Sequence, residues 1–350
     1  MDAGSELPRV ETPPRPPLWR GDGTIGRALR FTLAVMGPIG IGLVVGPAPW
    51  MTYGIVTTIL AFLLDMGGRF APRLGWMLGA AFVICAGAAF GTLVHDHPVS
   101  TFLAFSLAGI AYALVEALNP GIAGAVRLFC LALAIGAHFV QITPLNAAAA
   151  FAAALYGYLI SVLWDLLIGG ERPSSAPYLA EIVKRLRMTE RERWRFAAAV
   201  AIVLPLSSVA SVALGLHKPY WTLIAVVVVL RQDALSSQRI MLEVMIGSVL
   251  GVAIAIAIAL LVPDRGWLIG AMLLAALLRW PAQDYNGVFG NAALAAFIAL
   301  LLQVVDRSFG LAAHDTEERV LDFALGCSFA MLGLLLDWTF ARIAGHAPGR

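Results

Sequence analysis

Asp65, Glu116, Asp165, Asp233 and Asp337 each close an apolar run, and Arg69, Arg127, Arg231, Arg239 and Arg279 stand at similar run ends. A carboxylate in a hydrocarbon environment is costly and is kept only with a partner or a path to water. These acids therefore either reach from helix ends toward lipid headgroups or ring one mouth of a pathway through the protein. The recurrence of Asp65 with Asp233, and of Asp165 with Asp337, favours paired positions facing a shared centre. Trp50 and Trp221 open apolar runs at matching places, where a membrane interface accounts for them and a lining role is the alternative. Tyr285, Asn286 and Asn291 are polar groups at and inside one run; they could contact a solute or hydrogen-bond between helices.

Other chemistry is thinly represented. There is no HExxH, no GxSxG, no phosphate loop ending in GK[ST] and no SxxK with plausible partners. His95-Asp96-His97 offers two imidazoles without a third ligand, which reads as a solvated turn ahead of a metal site. Gly40, Gly42 and Gly46 lie in an apolar run, where small residues let helices approach. Cys85, Cys130 and Cys327 are far apart and apolar in setting, so neither a disulfide framework nor a CxxC site is expected. No catalytic residue, metal or cofactor is expected.

The elements that hold these residues follow from composition. Of 350 residues 60% are hydrophobic and 13% charged, and the mean hydropathy is +0.83; a soluble domain carries about 25% charge. A soluble enzyme is excluded, and a net charge of +2 without a basic stripe argues against nucleic-acid binding. Residues 1–27 hold five prolines in the first 20 positions and are expected to be a disordered cytoplasmic tail. They lack a signal peptide's apolar core, so the first apolar run should be retained.

Apolar runs at about 28–46, 50–65, 73–94, 100–118, 121–140 and 146–168 form a first group, punctuated by Gly and Pro pairs. Six more lie at about 196–216, 220–232, 241–262, 266–281, 286–305 and 320–341. An all-α, polytopic membrane protein of about twelve transmembrane helices follows. Helices 1, 3, 9 and 10 carry no ionisable group at mid-depth, and helix 5 has only His138, so carboxylates placed for deep proton coupling are not evident. The segment 169–195 is a cytoplasmic linker, whose run from Glu181 to Arg195 reads as an amphipathic helix on the inner leaflet. Residues 342–350 form a second cytoplasmic tail.

With both termini inside, twenty of the 24 Lys and Arg residues fall on the inner side, leaving Lys218, Arg265, Arg307 and Arg319 outside. Basic loops are retained in the cytoplasm, which sets this orientation in the cell inner membrane. The pattern also repeats. Pro49-Trp50 opens a run ending at Asp65, with Gly79 following; Pro219-Tyr220-Trp221 opens a run reaching Asp233, with Gly247 following at the same spacing. Six helices per repeat give two halves, 28–168 and 196–341, of the same orientation, related by an axis along the membrane normal.

The stretch Lys218-Pro219-Tyr220-Trp221, the apolar run to Arg231-Gln232-Asp233, and then Ser236, Arg239 and Gly247 to Gly251 resembles the signature of the fusaric acid resistance family of membrane transporters, related to aromatic acid exporters. Asp284-Tyr285-Asn286 is similar to that family's next recurring feature. The resemblance covers about 200–340, and 28–168 only through the repeat. It implies an inner-membrane exporter of aromatic or amphipathic acids, which in Gram-negative members often works with a periplasmic adaptor protein. Larger members carry sizeable soluble cytoplasmic domains, where this sequence offers the segment from about 169 to 195. The expected contacts are the lipid bilayer, a small organic anion and such an adaptor, with a homo-oligomer among the allowed assemblies and no nucleic acid. A non-transporting assembly or structural subunit is the alternative, and a lipid-modifying enzyme fits less well.

Overall fold

In the computed structural model, the residues described are 23–46, 49–65, 67–116, 120–168, 184, 191–216, 220–230, 234–262, 264–305 and 309–343. Among them the regular structure is entirely helical. In chain order the helices are α1 Thr24–Val45, α2 Ile55–Leu63, α3 Phe70–Val94, α4 Pro98–Val115, α5 Pro120–His138 and α6 Pro144–Ile168. They continue with α7 Arg191–Ala213, α8 Tyr220–Val229, α9 Ala234–Leu261, α10 Arg265–Tyr285, α11 Gly287–Val305 and α12 Phe309–Ile343. A π-helical turn, Trp50–Gly54, leads straight into α2.

Local chemistry accounts for the boundaries. Pro98, Pro120 and Pro144 begin helices, where the missing N–H costs nothing. The Asp264 carboxylate accepts from the Gly266 and Trp267 N–H groups at 2.9 and 3.3 Å to start α10. Asn286 Oδ1 accepts from Val288 N at 2.8 Å to start α11. Gly67 and Gly68, with φ of 68° and 81°, turn the chain from α2 into α3, a conformation open to glycine without steric cost. Pro38 lies inside α1 and Pro205 inside α7.

Among the described residues, seven helices are long and apolar enough to cross a membrane: α1, α3, α4, α6, and most of α7, α9 and α12. The expected twelve spans are not all met by length. At 1.5 Å per residue, the Trp50–Leu63 unit reaches about 21 Å and α8 about 15 Å, short of a hydrocarbon core of about 30 Å. In α10 the tail Arg279-Trp280-Pro281-Ala282-Gln283-Asp284 dilutes the apolar run. The linker expected to end at Arg195 ends earlier, because α7 begins at Arg191 and takes Trp194 and Arg195 into its first turns; most of 169–190 lies outside the described residues.

Packing crosses the boundary between the halves. In the first half α3 packs on α5, α2 on α6 and α1 on α6; in the second, α9 packs on α11, α8 on α12 and α7 on α12. Between halves α4 packs on α7 and α1 on α10. One apolar core joins α2 to α6 with α7, α8 and α12, and a second joins α1 and α2 with α9, α10 and α11. Neither half therefore owns a separate interior. The core is rich in alanine, and backbones approach closely where glycine permits. A Cβ on Gly91 would lie 2.3 Å from the Leu133 carbonyl oxygen, and one on Gly251 2.1 Å from that of Ala292. Large apolar side chains face outward instead, among them Phe82 (68% exposed) and Leu107 (66%), the inverse of a water-soluble surface.

Candidate functional site at the charged helix ends

Asp65 follows the last turn of α2, where the helix leaves its carbonyls exposed and a negative charge is unfavourable. Arginines from other helices compensate. Arg73, in the first turn of α3, donates from Nε to Asp65 Oδ1 at 2.6 Å and from Nη2 to Oδ2 at 2.9 Å. Its remaining Nη1 reaches Asp165 Oδ2, near the end of α6, at 2.7 Å. Arg30 of α1 donates to Asp65 Oδ2 at 3.0 Å. The Asp65, Arg73 and Arg30 side chains are 0, 2 and 4% exposed, and Asp165 is 12%. Two arginines and two carboxylates cancel, which is how four charges remain out of water. The planar guanidinium fork makes both of Arg73's engagements at once, which an ammonium could not.

The surroundings are apolar and concave. Arg30 lies over the Phe62 ring at 5.0 Å, and Phe62, Phe31 and Trp280 form a cluster with centroids 5.3 to 6.0 Å apart. A cavity of about 380 Å³ opens beside the network, lined by Gly68, Arg69, Phe70, Ala71, Arg73, Asp165 and Leu166. Arg69 is exposed at its rim.

Among the described residues, further ion pairs between helices gather at the same level. Arg127 meets Glu116 at 3.1 Å and lies over Tyr112 at 5.8 Å; Arg195 meets Asp337 at 2.8 Å; Thr24 and Arg27 meet Asp284 at 2.5 and 3.8 Å. Each joins the beginning of an odd-numbered helix to the end of an even-numbered one. One end of the bundle thus collects the charge.

The sequence candidates separate into places. Asp65 and Asp165 are brought together by Arg73, within one half, while Asp337 is held by Arg195. Arg231 and Asp233 lie outside the described residues. Arg239 bonds Glu243 on its own helix at 2.7 Å, with its side chain 81% exposed. Asn286 caps α11, Tyr285 beside it is 82% exposed, and Asn291 packs at Gly247 between α9 and α11. Trp50 lies in the π-helical turn, and Trp221 lies 5.5 Å from Tyr220, which packs on Phe139 at 5.2 Å; this group is at the opposite end from the charges. In the His95-Asp96-His97 turn the His95 ring donates from Nδ1 to the Ala137 carbonyl at 2.7 Å.

One set of residues escaped the sequence reading. Asp322 is fully buried in α12 and accepts from Thr222 Oγ1 at 2.9 Å; Thr222 is 3.2 Å from Ser211 Oγ. His138 Nε2 lies 2.9 Å from Ser208 Oγ, one turn away on α7. Because α12 begins at Phe309 instead of near 320, Asp322 is buried inside a helix, two residues before the spanning part that begins at Ala324. Asp322 thereby stands about 20 Å along its helix and not at its tip.

Against known families, residues 194–333 match the model described as fusaric acid resistance protein-like, about two fifths of the chain. No curated protein matches, and no solved structure does. The match covers α8 to α11, nearly all of α7 and most of α12; the second half of the chain is thus similar to the fusaric acid resistance protein-like family, and with the apolar helices this indicates a multi-pass membrane protein.

Proposed function

We propose that this protein is an inner-membrane exporter of small aromatic or amphipathic organic anions, with both termini cytoplasmic and two six-helix repeats of the same orientation. The observation that carries the anion reading is the cavity at the charged end. Arg69 and Arg73 stand in its wall beside Phe70 and Leu166, so a carboxylate and a ring find suitable surfaces together. Orientation follows from the gathering of ion pairs at the end where the basic residues concentrate.

The duplication draws support from register. Asp65 and Asp233, Tyr112 and Trp280, Glu116 and Asp284, and Phe62 and Leu230 all stand 168 positions apart. Phe62 packs on Trp280 at 5.8 Å, and the equivalent partners meet in return, the Tyr112 hydroxyl donating to the Leu230 carbonyl. Such reciprocity, with α1 on α10 and α7 on α4, is what a two-fold relation produces. The spans too short to cross alone, α2 and α8, lie against α6 and α12.

The test is concentration-dependent efflux of an aromatic acid from loaded cells at matched membrane levels. Arg69→Gln is expected to raise half-saturation about tenfold, the equivalent of about 1.4 kcal/mol of lost attraction, and Arg231→Gln to act in the same direction. Arg265→Gln, at the other end, should leave it unchanged. Equal half-saturation for Arg69→Gln and the parent protein removes the recruiting role, and absence of efflux from the parent removes the exporter.

A further inference from the structure

The second half buries a polar cluster that the anion-recruiting end does not use. Asp322, Thr222 and Ser211 come from α12, α8 and α7, and all three are 0% exposed. Ser208, 3% exposed, lies one turn before Ser211 on α7 and meets His138 of α5; the imidazole is stacked on Phe105 at 5.9 Å with planes 4° apart. Asp337, at the charged end, lies about 22 Å from Asp322 along the same helix. With the charged end as the inner one, Asp322 lies at the outer end of the spanning part of α12, which begins two residues later at Ala324.

Backbone approach has made room for this cluster. A Cβ on Gly326, one turn after Asp322, would lie 2.5 Å from the Thr222 carbonyl oxygen, so glycine there lets α8 and α12 close around the carboxylate. Hydroxyls both donate and accept, so Thr222 can hydrogen-bond Asp322 in either protonation state, with Ser211 as the partner of Thr222. The same holds for Ser208 with His138. A fully buried carboxylate in contact with a reorienting hydroxyl is suited to gaining and losing a proton.

We propose that Asp322 is the proton-binding carboxylate of this transporter, loaded from the outer side, with Thr222 hydrogen-bonded to it and Ser211 hydrogen-bonded to Thr222. This rests on the transport reading above and names its coupling. A proton from the outer aqueous phase forms an O–H bond on the Asp322 carboxylate; that bond breaks toward the inner side, returning the carboxylate and delivering one proton inward as anionic solute moves out. The described titratable groups on helices packed against α12 are Glu192, Arg193 and Arg195 at the inner end of α7, Tyr220 on α8, and Arg239 and Glu243 on α9. On α12 itself they are Cys327, Asp337 and Arg342, and His138 joins through Ser208. Lys218, Glu317, Glu318 and Arg319 are Asp322's and Thr222's neighbours in sequence.

The full-length protein in liposomes gives the test, with benzenesulfonate as solute because it stays ionised and does not cross lipid as a neutral acid. The parent protein is expected to exchange benzenesulfonate without a gradient and to accumulate it when the lumen is acid. Asp322→Asn should keep exchange within twofold and lose gradient-driven accumulation at least tenfold, while Asp322→Glu retains part of it. Infrared difference spectra without solute should contain a carboxyl band that titrates with pH, vanishes in Asp322→Asn and changes frequency in Thr222→Val. Full accumulation by Asp322→Asn, accumulation that follows sodium in place of the proton, or identical carboxyl bands in the two proteins would each overturn the proposal. A titrating band in a parent protein that exchanges no benzenesulfonate supports proton binding and counts against the transport reading instead. Should Asp322→Asn fail to fold, the Glu and Val variants decide through the band alone.

Discussion

The two halves follow one packing plan and bury their polar groups at opposite ends. In the first half Arg30, Asp65, Arg73 and Asp165 form a nearly water-free network at the charged end. The second half has at that end the pair Arg195 and Asp337, 24 and 17% exposed, and keeps its deeply buried carboxylate, Asp322, toward the other end. At the register of 168 positions, Asp322, Thr222 and Ser211 correspond to Ala154, Gly54 and Leu43, none of which can hold a proton. Similar helix packing thus carries two electrostatic arrangements, because helix contacts depend on small residues and shape while the polar sites depend on a few substitutions on already buried faces.

The difference is sharpest when an arginine is removed from each half. Arg73→Met takes that arginine from both Asp65 and Asp165, and breaking a buried pair costs about 3 to 5 kcal/mol. Arg195→Met touches a pair that water already screens, for which about 1 kcal/mol or less is expected. Thermal unfolding of the purified protein in detergent should give a large loss for the first and a small one for the second. Adding Asp65→Asn and Asp165→Asn to Arg73→Met should recover part of the loss, since the stranded charges go with the arginine. Equal losses for Arg73→Met and Arg195→Met would erase the contrast between the halves.

Next in size is a change that both halves should feel alike. Gly91 on α3 and Gly251 on α9 each stand where a methyl group would strike a carbonyl of the facing helix, at 2.3 and 2.1 Å. Overpacking of this kind costs about 1 to 3 kcal/mol. Gly91→Ala and Gly251→Ala are expected to lower the unfolding midpoint by similar amounts. A loss confined to one of them would mean that α3 with α5 and α9 with α11 are not equivalent.

Much of this architecture was readable in advance, for identifiable reasons. Each apolar run coincides with a helix because runs of this length have no alternative to satisfying their backbone internally, and Pro and Gly marked the ends. The acidic residues at run ends stood out because they are costly there. Their partners did not: Arg30, Asp65, Arg73 and Asp165 come from four helices, and no spacing rule relates them. Asp322 was hidden by its neighbours. His314, Asp315, Glu317, Glu318 and Arg319 read as a polar loop, yet α12 runs through them, since helix formation there depends on continuing an existing helix and not on burying an apolar face.

The smallest effect bears on how the halves are aligned. Spacing from Asp65 and Asp233 equates Gly79 with Gly247, but the two occupy different surroundings. A Cβ on Gly247 would lie 2.7 Å from both Asn291 Cβ and the Val288 carbonyl oxygen, whereas one on Gly79 meets nothing within 4 Å. The residue that matches Gly247 by contact is Gly87, whose Cβ would lie 2.6 Å from the Phe129 carbonyl oxygen. The register of the charged ends has therefore slipped by two helical turns at this interface, so that α3 and α9 share a partner helix but not a common alignment with α2 and α8. Gly79→Ala is expected to stabilise slightly, by up to about 1 kcal/mol, because alanine restricts the unfolded chain and favours the helix. Gly87→Ala and Gly247→Ala should both destabilise. The three variants, compared by unfolding midpoint in one detergent, separate the two alignments: a loss at Gly79 equal to that at Gly247 would restore the spacing register and remove the slip.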